Sequence, residues 1–234
     1  MPSSEKKIHR ERFYELIERL ATKTGYRTLD SCTARGSWPD KGVYFFFEQG
    51  EKREDGKTPR VVRVGTHAIQ AKSRTTLWKR LLQHKGTAGG ENPGGGNHRG
   101  SVFRLHVGCA LMARYKIECP TWLVEDVEPE LRKGEYELER FVSREIRQMP
   151  FLWLHVPGES GRGCPRAFIE KNAIALLSCI EEAGSKEEQG NGWLGNFSPK
   201  EEIRKSRLWN VDHVKAVFEP GFMEVFEELV ERMP

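Results

Sequence analysis

The 234-residue chain is 37% hydrophobic and 31% charged, with a formal net charge of +4, a balance that fits a folded globular protein and excludes a disordered one. No uninterrupted apolar run approaches the ~20 residues a membrane-spanning helix needs, and the opening Met1-Pro2-Ser3-Ser4-Glu5-Lys6-Lys7 has no apolar signal-peptide core, so the expectation is a cytoplasmic protein without a membrane partner. The five cysteines, Cys32, Cys109, Cys119, Cys164 and Cys179, are odd in number and lack CxxC spacing, which indicates neither a disulfide framework nor a zinc ribbon.

Residues 4–24 read as a helix: Ser4 is a candidate cap, Phe13, Leu16, Ile17 and Leu20 recur at helical spacing, and Gly25 is a stop. A loop with Trp38-Pro39-Asp40 comes next. Gly42-Val43-Tyr44-Phe45-Phe46-Phe47 and Val61-Val62-Arg63-Val64-Gly65, joined by a charged loop, predict an antiparallel hairpin. From Thr75 to His84 the pattern predicts a helix with an apolar stripe of Leu77, Trp78, Leu81 and Leu82, a threonine cap and Gly86 as its stop. Arg80 and His84 are four apart and share one side of it.

Residues 85–100 contain seven glycines and a proline and predict no regular element. A loop that orders on nucleic acid, with His98 and Arg99 as contacts, is one reading; a surface loop without a role is the other. Ser101 is a candidate cap for a helix through Leu111, on which His106 reads as a packing residue. Trp122-Leu123-Val124 predicts a short strand. Leu138, Phe141, Val142 and Ile146 predict a helix over 135–148, and Phe151 to Val156 a strand. Residues 166–182 read as helical, 184–192 as a polar loop, 199–204 as a short helix, and Phe222, Val225, Phe226 and Leu229 as the face of a last helix.

Charge is uneven along the chain. Arg60 to Lys116 holds eleven basic residues against one acidic, Glu91, which suits a polyanion-binding face.

Gly42-Val43-Tyr44, Val64-Gly65, Arg80 and His84, in one hairpin-helix frame, resemble the GIY-YIG endonuclease superfamily, in particular its stand-alone restriction-type members. The first position of the second motif is Arg63 rather than Tyr. The resemblance implies an α+β fold, a small antiparallel sheet flanked by helices, with helical extensions at both ends. The corresponding division is an N-terminal helix and loop over 1–37, a nuclease core over 38–198 with insertions at 85–156, and a mainly helical extension over 199–234. It also implies a metal-binding Glu on a later helix with apolar residues three, four and seven positions on. Glu170 fits with Ala173, Ile174 and Leu177; Glu139 is the alternative, with Ser143 breaking its pattern. Asn172 and Asn196 are both candidates for the Asn that many members carry after that Glu.

For function, the resemblance implies a metal-dependent endonuclease hydrolysing DNA, with RNA not excluded, acting as monomer or homodimer. In that frame Tyr44 is the general base and Arg80 holds the scissile phosphate. His84 bonds Tyr44, the water or the phosphate, and Glu170 carries Mg²⁺ or Mn²⁺. Arg63 either adds a cation to the phosphate or marks a site that binds without cutting, a catalytically decayed nucleic-acid-binding module. Lys72, Arg74, Lys79, Lys85, His98, Arg99 and Arg104 are the expected nucleic-acid contacts. His67, at the end of the second strand, is either a site residue or an ordinary loop histidine. A tyrosine is a poor base at its ordinary pKa of about 10, and neighbouring cations favour its ionised form, which gives a cation-rich pocket a chemical purpose.

Overall fold

A computed structural model describes residues 3–161, 163–180 and 192–234. Four strands, β1 (Arg27–Thr28), β2 (Gly42–Lys52), β3 (Pro59–Thr66) and β4 (Pro150–His155), form one antiparallel sheet in the order β1-β4-β2-β3. The helices are α1 (Ser3–Thr24), α2 (Leu77–Lys85), α3 (Val102–Tyr115), α4 (Pro129–Arg132), α5 (Tyr136–Gln148), α6 (Pro165–Leu177), α7 (Glu201–Ser206) and α8 (Phe222–Glu231). None of the described helices is long and apolar enough to cross a membrane. The α+β arrangement of a small sheet with helical flanks is the expected one.

The apolar run of β2 is continuous because both sheet faces are covered. Val43, Phe45 and Phe47 enter one core with Phe13, Leu16, Ile17 and Leu20 of α1, Ile169 and Ala173 of α6, and Phe222 and Phe226 of α8. Tyr44 and Phe46 point the other way, into a second core with Leu77 and Leu81 of α2, Phe103 and Val107 of α3, and Leu138 and Val142 of α5. The two ends of the chain meet in the first core, where the rings of Phe13 and Phe226 stack with centroids 4.9 Å apart.

β3 would be an open sheet edge, with unpaired backbone groups. The segment after α7 closes it. Trp209 N donates to the Val62 carbonyl at 2.6 Å. Asn210 Oδ1 accepts from Val64 N at 3.1 Å, and its Nδ2 donates to Val64 O at 2.9 Å. A side-chain amide thus stands in for a neighbouring strand.

One feature differs from the sequence expectation. Trp122-Leu123-Val124 forms a turn, not a strand, because the Trp122 indole donates to Leu105 O at 3.2 Å and its ring lies against His98 with centroids 3.7 Å apart. The strand expected over Phe151 to Val156 forms as β4, which pairs with β2 from Gly42↔His155 to Phe46↔Phe151 and is central to the sheet. Residues 181–182 of the expected helix and 184–191 of the expected loop lie outside the described residues.

Candidate active site

The hairpin positions a phenol. Tyr44 faces Gly65 across the β2–β3 pairing, and a Cβ on Gly65 would come within 2.3 Å of the Tyr44 hydroxyl. The glycine therefore lets the ring lie flat over β3. Gly42 answers a similar demand, since a Cβ there would fall 2.6 Å from the Leu154 carbonyl oxygen of β4.

α2 brings an imidazole and a guanidinium to the same place. Thr76 caps the helix through Lys79 N, and Gly86 ends it with φ of 81°. Leu77 and Leu81 are fully buried and fix its rotation. His84 is also fully buried; its Nε2 is 2.7 Å from Tyr44 Oη and its Nδ1 is 2.8 Å from Ser101 Oγ. Burial, together with the charges of Arg80, Arg63 and Arg104, holds His84 well below the usual histidine range, so it is neutral. One turn earlier, partly exposed Arg80 donates through Nη1 to Gln83 Oε1 at 2.7 Å and to Gly100 O at 3.2 Å. Its buried Nε has no partner among the described residues.

Arg63 comes from β3, next to the register shift between Phe46 and Phe47 of β2. Its guanidinium lies 5.0 Å from the Phe103 ring centroid and donates through Nη1 to Trp209 O. Burial lowers its pKa, opposed by its proximity to Tyr44, with Arg80 and Glu170 also in its field. Its Nε is buried and unpartnered among the described residues. Two guanidinium groups with unfilled donors beside one phenol are a chemical match for an anion with several oxygens.

Glu170 arrives from α6. Its Oε1 accepts from Thr66 N at 3.0 Å. Burial pushes its pKa up to about 7, resisted by Arg63, the Thr66 N–H and Arg80, and reinforced by the charge of Asp212. Tyr44, Arg63, Arg80, His84 and Glu170 are thus linked by direct bonds or mutual electrostatics. Glu170 also borders an open groove of about 410 Å³ that includes Ile69, Phe168, Lys171 and His213.

Glu139 lies elsewhere. Its carboxylate is buried and accepts from Arg104 Nε at 3.1 Å, from His98 N at 2.7 Å and from His98 Nδ1 at 2.8 Å. Those bonds close a structural ion-pair network under the glycine-rich loop, and leave Glu139 no free oxygen directed at Tyr44. His98 and Arg104, at 2% and 0% exposure, offer no face to a nucleic acid. Arg99 pairs with Glu135 at 2.7 and 2.9 Å, and Lys85 donates to the Cys32 carbonyl at 2.8 Å. Lys72, Arg74 and Lys79 are exposed and stay available to phosphates. His67 is a brace between the hairpin and the approach to α2: Gly42 N donates to its Nε2 at 3.3 Å, and its Nδ1 donates to Thr75 O at 2.9 Å. Asn172 holds Glu219 N at 2.8 Å, and Asn196 sits in a helical turn over Leu194–Phe197.

The sequence reading missed four contributors. Ser101 was legible only as a helix cap. Trp209, Asn210 and Asp212 carry no motif; the bonds of Trp209 and Asn210 to β3 bring this segment to the site.

The fit of a divalent cation rests on donor chemistry. A hard carboxylate that burial keeps partly protonated gains by exchanging its proton for a metal ion. Mg²⁺ is commonly held by one or two carboxylates together with waters and substrate phosphate. Glu170, with Asp212 nearby, meets that requirement, although among the described residues no three His, Cys, Asp or Glu side chains gather as a complete cage.

Comparison with known families gives a match of the GIY-YIG domain to residues 4–234. No curated protein and no solved structure matches the chain.

Proposed function

Because this chain belongs to the GIY-YIG family across residues 4–234, and that membership points to nuclease activity on nucleic acid, we propose that it is a metal-dependent endonuclease hydrolysing DNA phosphodiester bonds, of the stand-alone restriction type. The observation that supports the reading is the Tyr44–His84 hydrogen bond between β2 and α2, with Arg63 of β3, Arg80 of α2 and Glu170 of α6 in one another's electrostatic field.

Phosphodiester hydrolysis needs a deprotonated water, stabilised phosphoryl oxygens and a neutralised leaving oxygen. Tyr44 takes the proton of the water. Arg80 and Arg63 hold the scissile phosphate; their partnerless Nε groups are enclosed and reach it once the side chains over them shift. Glu170 holds the divalent ion, Mg²⁺ or Mn²⁺, which when bound stabilises charge on the phosphate and leaving group. Lys72, Arg74 and Lys79 contact the backbone of the substrate and position it without reading its sequence. The 199–234 segment is an integral part of the nuclease unit, since it closes β3 and supplies Asp212.

One observation favours a second reading. Tyr44 is wholly enclosed, so water reaches its oxygen only when the side chains over it shift. With Arg63 in the second motif, this fits a module that binds nucleic acid and does not cut. Plasmid DNA incubated with Mg²⁺ or Mn²⁺, beside a gel-shift titration, separates the two. Nicking or linearisation that stops with EDTA supports the endonuclease. Salt-sensitive binding without cleavage supports the module.

A further inference from the structure

Ser101 is a buried hydroxyl between the glycine-rich loop and α3, and its hydrogen-bond capacity can be counted. As the cap of α3 its Oγ accepts from Arg104 N at 3.3 Å. A serine hydroxyl also has one hydrogen to donate. Among the described residues the other partner of Oγ is His84 Nδ1, at 2.8 Å. With Ser101 1% exposed, an undirected hydroxyl hydrogen would be a buried unsatisfied donor.

We propose that Ser101 is a positioning residue for the catalytic tyrosine: its hydroxyl donates to His84 Nδ1, fixes the ring as the Nε2–H tautomer, and so makes His84 a hydrogen-bond donor to Tyr44 Oη. His84 is enclosed by Arg63, Arg80 and Arg104 and, among the described residues, has no carboxylate partner, so it carries a single ring proton. With Nδ1 occupied as an acceptor, that proton sits on Nε2, 2.7 Å from the phenol oxygen; a Tyr44 hydroxyl hydrogen would then have no acceptor among the described residues, so this order belongs to the state in which Tyr44 has given up its proton. The consequence for chemistry rests on the nuclease reading. His84 then does not take the proton of Tyr44. Tyr44 enters the step with its own hydroxyl proton already released to solvent; the Nε2–H donates to the resulting phenolate, which accepts the water's proton and leaves hydroxide to attack phosphorus. The proton leaves Tyr44 for solvent after the product departs. Arg104 secures the order from behind: its Nη1 donates to His84 O at 2.8 Å and its Nη2 to Ser143 Oγ at 3.0 Å, holding α2, α3 and α5 at fixed spacing.

The test is ¹⁵N NMR of histidine-labelled full-length protein. The His84 signals are assigned by their loss in His84→Gln, or by contacts to the adjacent rings of Phe46 and Phe103. The expected result is a protonated Nε2 and an unprotonated, hydrogen-bonded Nδ1. Ser101→Ala is expected to populate the Nδ1–H form and slow cleavage about tenfold at unchanged KM, while Ser101→Thr, which keeps cap and hydroxyl, restores both. A proton on Nδ1 in the wild type, or a Ser101→Ala spectrum unchanged at His84, overturns the proposal. Should Ser101→Ala fail to fold through loss of the α3 cap, the wild-type spectrum decides alone. Absence of cleavage by the wild type counts against the nuclease reading, while the spectrum still decides the hydrogen-bond order.

Discussion

Tyr44 on β2 and His84 on α2 meet through a 2.7 Å bond between the phenol oxygen and Nε2 in a position closed to solvent. Removing the hydroxyl leaves a buried ring nitrogen without its partner, which costs about 1–3 kcal/mol. Tyr44→Phe is therefore expected to lower stability within that range while reducing cleavage by about 10²–10⁴-fold, the usual contribution of a positioned base. Chemical denaturation beside single-turnover cleavage measures both. A full loss of stability with no separate loss of rate per folded molecule would assign Tyr44 to packing alone.

Arg80 and Arg63 are predicted to respond differently. Arg80 is partly exposed and held by Gln83 and a backbone carbonyl, so Arg80→Ala should leave the thermal midpoint within a few degrees and weaken both substrate binding and turnover. Arg63 is buried between Phe103 and the Trp209 carbonyl, and Arg63→Ala opens a cavity beside the C-terminal segment, with an expected loss of about 2–4 kcal/mol. Equal stability of the two variants contradicts this assignment.

The raised pKa of Glu170, about 7, fixes a sign. The folded protein binds its proton more tightly than the unfolded chain, so this residue's contribution to stability is greatest below the unfolded carboxylate range and declines as pH rises from there to about 7. Glu170→Gln is expected to be stabilising relative to wild type at pH 8 and near neutral at pH 4.5. Mg²⁺ or Mn²⁺ should raise the thermal midpoint of the wild type more at pH 8 than at pH 6, because ion and proton compete for the carboxylate. An ion-induced shift that persists in Glu170→Gln would place the cation elsewhere.

Glu48 offers an independent optical readout. One oxygen accepts from the indoles of Trp193 at 3.0 Å and Trp209 at 3.2 Å, and burial raises this carboxyl to about 7 as well. Tryptophan emission is expected to change as pH passes through 7 in the wild type and to stay flat over that interval in Glu48→Gln. An identical transition in both proteins would show that another group drives it.

Asn210 satisfies both backbone groups of Val64 on the outer edge of β3. Asn210→Ala strands a buried N–H and a buried carbonyl, an expected cost of about 2–4 kcal/mol. Hydrogen exchange at Val64 should rise by more than at Val43, which stays paired within the sheet. Uniform exchange across the sheet would show that the edge closure adds no local stability.

Local periodicity made most of the elements readable. α1, α2, α3, α5 and α8 follow from apolar spacing with Thr76, Ser101 and Gly86 as punctuation, because capping and stripe burial act over one or two turns. The hairpin was readable from β-rich runs on either side of a charged loop. The side chains Arg80 and Glu170 come within each other's electrostatic field only through the packing of α2 and α6 on the sheet, and their expected relation came from the ordered motif rather than from spacing. Trp122 shows the opposite failure: its flanks resemble a strand, yet the stacking partner His98 lies 24 positions away. Asn210 and Asp212 were invisible for the same reason. Their partners on β3 and α6 precede them by many residues, and no local pattern marks an amide that substitutes for a strand.

Single-turnover cleavage of a DNA duplex in Mg²⁺ by the wild type, Tyr44→Phe, Glu170→Gln and the double variant tests the shared site most directly. If the phenol and the carboxylate serve one reaction, each single change lowers the rate by at least about 10²-fold, and the double falls no further than about the worse single, as for residues that act as a unit. Wild-type rates in both single variants, with cleavage present, would contradict the account.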